Sequence, residues 1–321
     1  MPREDDPRQP VKGRCGGTQP IRPALWHWLF LLFALCSCGC ATRSTTMHNY
    51  TLDYSTPVNP PLQSRLEQLD ARLRTQYGMT QADTAIGLLD LQDLRLAMIH
   101  PDREEYAASI PKIGILLAYF ELNPDAASLL DAQTRHELGE MIKISSNEMA
   151  AKYSQLLGLR QIQGVLQRNG FYDAAHGGGI WVGKHYGVSG ERYGSPVADN
   201  SHAATVRQLL RYYLLMEQRR LLSPAASSMM RRIFESPDIP HDPNKFLKGL
   251  DGQGTDVIRK SGTWENWLHD SMVVNGRGRH YILVALTRHP RGDDYLTDLA
   301  REVDKFVTIS APLPTPPSPN P

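Results

Sequence analysis

The order of strand-like and helical runs constrains the fold of this chain more than any other feature. Short apolar runs predict strands in two groups, at 84–91 and 94–100 and then at 256–260, 268–274 and 280–287. The first two runs are joined by a tight turn at Gln92-Asp93. Between the groups, the stretch from Ile110 to about Glu235 is almost wholly helical and is interrupted by a glycine-rich loop.

Amphipathic helices flank these strands. Residues 62–77 have apolar residues at helical spacing and end at Gly78, and residues 293–307 form a second such run with acidic residues in its first turn. The order predicts an α/β (α+β) fold, with a five-stranded antiparallel sheet flanked by terminal helices and a separate helical lobe. A groove between the sheet and the lobe is a natural place for a site.

The composition excludes nucleic-acid binding and allows a large core. Hydrophobic residues make up 41% of the 321 residues and charged residues 21%. The formal net charge is +1 and no basic run is interleaved with aromatic residues. We expect a monomer with one domain over residues 61–308, a tether at 41–60 and a proline-rich tail at 309–321.

The four cysteines all lie within the first 40 residues. The folded part is therefore expected to have no cysteine nucleophile, no thiolate metal site and no disulfide. Residues 1–40 read as a secretory signal with a long polar n-region, because the apolar run Ala24–Ala34 follows basic residues and is too short for a comfortable membrane span.

The residues after this apolar run, Leu35-Cys36-Ser37-Cys38, resemble a bacterial lipoprotein processing site. Cys38 would be the lipidated residue, with Cys40 as the alternative, and a plain signal peptide or an uncleaved anchor stays open. We expect a periplasmic protein held at the outer or inner membrane by a lipid anchor.

The sequence Ser109-Ile-Pro-Lys112 stands at the start of an apolar helical run. The two polar side chains are three residues apart and so project from one face of the first turn, where backbone N–H groups favour an alkoxide. A buried lysine there can lose its proton and act as a base. An N-cap serine and a surface lysine are the alternative interpretation.

Two further short motifs follow. Ser145-Ser146-Asn147 lies between two helical runs, where a serine can also simply cap the next helix. Lys260-Ser261-Gly262 ends a strand-like run before Thr263-Trp264, where a lysine and a hydroxyl could hold a carboxylate. An ordinary turn is the alternative interpretation of this second motif.

Together, S-x-x-K, S-x-N and K-[ST]-G in this order are the motif set of class A β-lactamases and penicillin-binding proteins. The chain resembles this penicillin-recognising serine enzyme superfamily over roughly residues 62–307. The runs IKISSNEMAAKYSQLLG and DNSHAATVRQLLRYYLLM resemble the family's helix carrying the second motif and the helix after its omega loop. The resemblance implies a β-lactamase/D,D-peptidase-like fold.

The resemblance also implies roles for the motif residues. Ser109 would attack the carbonyl of a β-lactam or acyl-D-Ala peptide, and Lys112 would accept its proton. Ser145 would relay a proton to the departing nitrogen, while Lys260 would tune that serine and attract the substrate carboxylate. The oxyanion hole would be the backbone N–H groups of Ser109 and Thr263.

Further residues would bind substrate. Asn147 would bind the amide side chain of the substrate and Ser261 would hydrogen-bond its carboxylate, with Gly262 allowing close approach. Trp264 stands where the family prefers a small residue, and with Trp267 nearby it would narrow the groove along the strand or stack on a substrate. The alternative is that one or both tryptophans pack against the sheet. We expect no metal and no cofactor.

Several departures from the family pattern affect the expected chemistry. The stretch 176–199 holds only Glu191 and Asp199 as carboxylates, neither in the E-x-x-L-N setting of the glutamate that activates the deacylating water in class A enzymes. Lys184 or His185 would replace that glutamate as the base, or both have a structural role only. Ser146 replaces an aspartate. The segment between Lys112 and Ser145 is short, so a loop that usually walls the cleft is expected to be missing.

Three functions are weighed on this basis. The first is a β-lactamase-like serine hydrolase that opens β-lactams through a Ser109 acyl-enzyme, with slow deacylation. The second is a peptidoglycan D-Ala carboxypeptidase or an esterase on the same scaffold, and the third is a non-catalytic envelope lipoprotein that binds without turnover.

Overall fold

Five long strands form one antiparallel sheet, β2 (Arg95–Ile99), β1 (Thr84–Asp90), β10 (Arg279–Arg288), β9 (Trp267–Gly276) and β8 (Asp256–Trp264), in that order across the sheet. The structure is a computed structural model that describes residues 47–250 and 255–308. The predicted five-stranded antiparallel sheet is confirmed.

Strand β1 shows why the sheet carries a core on each face. All seven of its residues are buried, as expected for a central strand covered on both sides. Ala85 and Leu89 belong to the core shared with the helices between the strand groups, while Ile86 and Leu88 belong to the core under the terminal helices. At Gly87, a Cβ atom would lie 2.5 Å from Val206 Cγ1, so glycine permits the close helix contact.

The terminal helices are α1, Pro60–Tyr77, and α10, Gly292–Thr308. Helix α1 has a proline in its first turn, an Asn59 side chain that accepts from Leu62 N at 3.1 Å, and Gly78 at a φ of 70° as its C-cap. These local signals explain why the sequence predicted this helix within two residues at its start.

The stretch between the strand groups is divided into several helices. They are α2 Lys112–Leu122, α3 Ala126–Leu129, α4 Ala132–Lys143, α5 Asn147–Leu157, α6 Leu159–Arg168, α7 Val206–Glu217 and α8 Pro224–Glu235, and the short α9 Phe246–Gly249 follows. Short strands also occur: β3 Glu105–Tyr106, β4 Tyr172–Asp173, β5 Gly178–Gly179, β6 Trp181–Val182 and β7 His202–Ala204. The glycine-rich interruption thus contains most of these short strands.

Strand β8 continues further than the sequence predicted. It was expected at 256–260 but pairs with β9 as far as Trp264 opposite Trp267. The Ser261-Gly262 pair, which by itself is also typical of a turn, is therefore held in extended backbone by the ladder to β9. The turn instead lies at Glu265, whose φ is 49°.

Residues 47–59 pack on the domain, although the sequence predicted a tether over 41–60. The Gln218 side-chain amide donates to the carbonyl oxygens of Met47 and Tyr50, both at 2.7 Å, and Leu52 is buried. The polar composition of this segment concealed its contacts, because they are made largely by backbone carbonyl groups. The folded part therefore begins before residue 61.

The predicted signal, the Cys38 and Cys40 lipidation sites and most of the proline-rich tail lie outside the described residues. Within residues 47–250 and 255–308, no helix is both long and apolar enough to cross a bilayer.

Candidate active site

Ser109 lies on a strained turn immediately before helix α2. The residue before it, Ala108, has a φ of 47°, a left-handed conformation that costs a non-glycine residue about 1–3 kcal/mol. The turn is held from two sides, since the Tyr186 hydroxyl donates to the Ala108 carbonyl at 3.1 Å and Ala107 N donates to the His202 carbonyl at 2.9 Å. The helix begins at Lys112 rather than Ile110.

The Lys112 amine is buried at the base of this turn. It donates to Asn147 Oδ1 at 2.7 Å and to Ser145 Oγ at 3.2 Å, and the Lys112 side chain has no exposed surface. Because burial removes water from the charged form, the pKa of Lys112 is lowered to about 7. A substantial fraction of this amine is thus neutral near pH 7 and can accept a proton.

Ser145 joins Lys112 to a second buried amine. The Lys260 amine donates to Ser145 Oγ at 2.9 Å, so one hydroxyl lies between two lysines. The pKa of Lys260 is lowered by burial and by nearby cations, chiefly Lys112. The N-cap of helix α5 is Ser146, which accepts from Met149 N at 3.2 Å, so Ser145 is not used as the cap.

Gly262 brings strand β8 against the turn that holds Ser109. A Cβ atom at this position would lie 2.8 Å from the Ala107 carbonyl oxygen and 3.2 Å from Ser109 N, a space that only glycine fits without a shift. Ser261 is half-buried one residue earlier, and Thr263 is exposed one residue later. The predicted S-x-x-K, S-x-N and K-S-G motifs are therefore brought together in space.

Lys245 is a third buried amine, which the sequence analysis missed. It donates to the Gly262 carbonyl at 2.8 Å and to Thr263 Oγ1 at 2.6 Å, and burial lowers its pKa to about 8. Its φ of 49° is held by Asp293 Oδ1, which accepts from Lys245 N at 3.0 Å. No local motif marks this lysine, because its partners lie on a strand that follows later in the chain.

A cavity of about 720 Å³ opens over these residues. It is lined by Tyr106, Ala108, Ser109, Asn147, Lys184, His185, Tyr186, Gly187, Val188, Ser189, Asn200, Ser201, His202, Thr263, Trp264 and Trp267. These lining residues include no aspartate and no glutamate. Ser109 and Thr263 line the cavity, whereas the buried amines of Lys112 and Lys260 are not among its lining residues and meet at Ser145 instead. A serine at a cavity with buried amines close to it in the fold is an arrangement suited to acyl transfer to a hydroxyl.

A sequence profile described as the β-lactamase enzyme family matches residues 130–307, more than half of the chain. The chain belongs to this family. The match covers Ser145 and Lys260 and begins after Ser109. No curated protein matches the sequence significantly.

Solved structures of β-lactamases and a penicillin-binding protein share the fold. The β-lactamase from Sphaerobacter thermophilus has a TM-score of 0.60 at 15% identity, with 78% of this chain and 98% of that chain covered. The class A β-lactamase from Mycobacterium abscessus has a TM-score of 0.60 at 15% identity, with 75% of this chain and 98% of that chain covered. PBP-A has a TM-score of 0.57 at 16% identity, with 75% of this chain and 96% of that chain covered.

Tyr186 lies beside the Lys112 amine, within the glycine-rich stretch 176–199. The Lys112 amine is 4.6 Å from the centroid of the Tyr186 ring, which also packs on His202 at 4.1 Å. Burial raises the pKa of Tyr186 well above 10, so its hydroxyl stays protonated and continues to donate to Ala108. An aromatic ring thus covers the amine on this side of the cavity.

The two carboxylates of this loop are turned to other partners. Glu191 accepts from the Tyr193 hydroxyl, and Asp199 pairs with Arg192 at 3.0 Å. His185 lines the cavity but its Nδ1 is bonded to Ser154 Oγ at 2.8 Å, and Lys184 lines the cavity as well. Neither carboxylate is among the residues that line the cavity over Ser109.

The two tryptophans at the end of the cavity differ in their packing. Trp264 is 57% exposed and lies on the rim. Trp267 is half-buried, with its ring 5.8 Å from Tyr106 and 4.8 Å from the Arg288 guanidinium. Trp267 is thus packed against neighbouring side chains, as one interpretation of the sequence predicted, whereas Trp264 is exposed where a substrate could contact it.

Over residues 47–250 and 255–308, no three histidine, cysteine or acidic side chains are grouped so that they could hold a metal ion.

Proposed function

We propose that this protein opens β-lactams through a covalent acyl-enzyme at Ser109 and hydrolyses that intermediate slowly. The observation that carries the proposal is the hydrogen-bonded chain from Lys112 through Ser145 to Lys260, directly beside the Ser109 turn. Membership of the β-lactamase family supports a hydrolase of this kind. A PBP-A variant similar in fold, at a TM-score of 0.59 and 17% identity, has been solved as an acyl-enzyme complex with penicillin G.

Acylation would begin with proton transfer from Ser109 Oγ to the neutral Lys112 amine. The oxygen attacks the lactam carbonyl carbon, and the N–H groups of Ser109 and Thr263 bind the developing oxyanion. When the carbon–nitrogen bond breaks, Ser145 gives its proton to the leaving nitrogen and is reprotonated from Lys112. The product is an ester of Ser109 in which the whole β-lactam is retained.

Substrate binding would use the remaining motif residues. Lys260 and the Ser261 hydroxyl would attract the carboxylate, while the exposed Asn147 amide would bind the acyl side chain. Trp264 would meet the substrate at the rim of the cavity. Deacylation would be slow because no carboxylate lines the cavity and the Tyr186 ring covers Lys112.

The absence of carboxylates among the lining residues also favours a second candidate, a peptidoglycan D-Ala carboxypeptidase or an esterase on the same scaffold. In that case penicillin would be a trapping analogue, and the natural acyl-enzyme would be formed with loss of D-Ala. A non-catalytic envelope protein is the third candidate, which would bind β-lactams without any covalent step.

Intact-protein mass spectrometry over time separates these candidates. With a chromogenic cephalosporin or penicillin, we expect an adduct on Ser109 that decays slowly, while Ser109→Ala forms none. Ser128→Ala, at an exposed helix serine, is the matched control and should acylate normally. Release of D-Ala from a muropeptide would favour the carboxypeptidase. No adduct with any β-lactam would refute the acyl-enzyme proposal.

We also propose that the protein is exported and anchored in the envelope through Cys38. The signal-like residues 1–40 support this location. Fractionation of cells should find the protein with membranes, and Cys38→Ala should release it or block its maturation. An unchanged distribution for both Cys38→Ala and Cys40→Ala would contradict the anchor.

A further inference from the structure

A second cavity of about 680 Å³ adjoins the one over Ser109. Four residues line both cavities: Asn147, Tyr186, Gly187 and Val188. The remaining lining residues all belong to helix α5, at positions Glu148, Ala151, Lys152, Gln155 and Leu156. We call this second cavity the α5 groove.

The α5 groove follows a single face of its helix. Its helix positions are spaced by three or four residues, so their side chains form one stripe. From Glu148 to Leu156 the helix rises by about 12 Å, the length of an extended chain of eight to ten atoms. The floor is apolar, with the side chains of Ala151, Leu156 and Val188, and Leu156 is 68% exposed. Covering this exposed apolar side chain would remove apolar surface from water, which lowers the free energy.

The charged residues of the groove do not make it a polar site. Lys152 is bonded to Glu137 at 2.6 Å, which neutralises its charge, and it lies at the edge with Glu148. Both side chains are exposed, so they stay in water when the floor is covered.

The junction of the two cavities is built around Asn147. Its Oδ1 accepts from Lys112, which leaves the two amide hydrogens on Nδ2 for a carbonyl group. Gly187 closes in from the opposite side, where a Cβ atom would lie 3.4 Å from the Asn147 Cβ. An amide carbonyl bound at this junction would direct whatever follows it into the α5 groove.

We infer that the α5 groove is a subsite for a long apolar acyl side chain of the substrate, continuing beyond the amide held by Asn147. This inference rests on the proposed function, because that function places the substrate's side-chain amide at Asn147. A missing loop between Lys112 and Ser145, which the sequence predicts, would leave this side of the cleft open. Substrates with short side chains would leave the groove filled with water.

The test compares two penicillins that differ only in their acyl group, acetyl and decanoyl. We expect the second-order acylation rate constant to be at least tenfold higher for the decanoyl compound, since each buried methylene contributes a factor of about four. Leu156→Glu should abolish most of this preference and leave the acetyl rate unchanged. Leu129→Glu, at a leucine that is 77% exposed on α3, is the matched control and should keep the preference.

A binding measurement separates a failure of this inference from a failure of the proposed function. N-decanoyl- and N-acetyl-D-Ala-D-Ala are titrated calorimetrically into Ser109→Ala, where no covalent step can occur. Tighter decanoyl binding that Leu156→Glu removes would support the groove even if no β-lactam acylates the protein. Equal affinities and equal rates would overturn the subsite, as would a change of oligomeric state in Leu156→Glu without a change in selectivity.

Discussion

Acylation of Ser109 should follow the ionisation of Lys112. The pKa of this amine is lowered from 10.5 to about 7 by burial, so about half of it is neutral at pH 7. An ordinary lysine would be neutral in roughly three molecules in ten thousand at that pH, so burial supplies about a thousandfold more base. Between pH 5.5 and 8.5 the neutral fraction, and with it the acylation rate constant, should rise about 30-fold.

The assay is stopped-flow acylation with a chromogenic cephalosporin across this pH range. Lys112→Arg keeps a cation that does not deprotonate, so it should acylate at least a hundredfold more slowly and show no inflection. Lys260→Gln removes the other amine on Ser145 and should be slower but keep the inflection. A flat wild-type profile, or Lys112→Arg within tenfold of wild type, would refute Lys112 as the proton acceptor.

Three further predictions test the surroundings of the site. Gly262→Val should destabilise the protein by about 1–3 kcal/mol and slow acylation at least tenfold, because the new side chain presses on the turn that holds Ser109. Denaturant unfolding measures the first effect and acylation kinetics the second, and an unchanged acylation rate would contradict the close approach of Gly262 to this turn. Tyr186→Phe and the control Tyr212→Phe each lose a buried hydrogen bond of 3.1 Å to a backbone carbonyl, worth about 1 kcal/mol of stability. Only Tyr186→Phe should slow acylation, by about fivefold, because its hydroxyl holds the turn before Ser109. Equal acylation rates in both variants would count against this role of Tyr186. Lys245→Met should slow penicillin acylation about tenfold by releasing strand β8. Lys248→Met, at an exposed site three residues later on helix α9, should leave the acylation rate unchanged, and a similar rate constant in both variants would contradict this role of Lys245.

Much of the fold could be predicted because local physics specifies it. Apolar residues recur about every 2 residues in a half-buried strand and about every 3.6 residues in a helix, which distinguishes the two. Capping residues such as Asn59 and Gly78 mark where a helix begins and ends. The end of β8 was missed since Ser261-Gly262 has no local preference for a strand, and only pairing with β9 extends it to Trp264. The packing of residues 47–59 was missed for a similar reason, because backbone carbonyls carry it.

The motif residues of the site could also be found in the sequence, as three short patterns in a fixed order. The amino-acid sequence therefore specifies the elements, their order and the hydroxyl and amine groups available for chemistry. The burial of Lys112, the contact of Lys245 with β8 and the position of Tyr186 over the Lys112 amine arise when the chain folds. The physical reason is that burial and electrostatic surroundings are produced by residues far apart in the chain, so that no local pattern encodes the pKa of an amine or the shape of a groove.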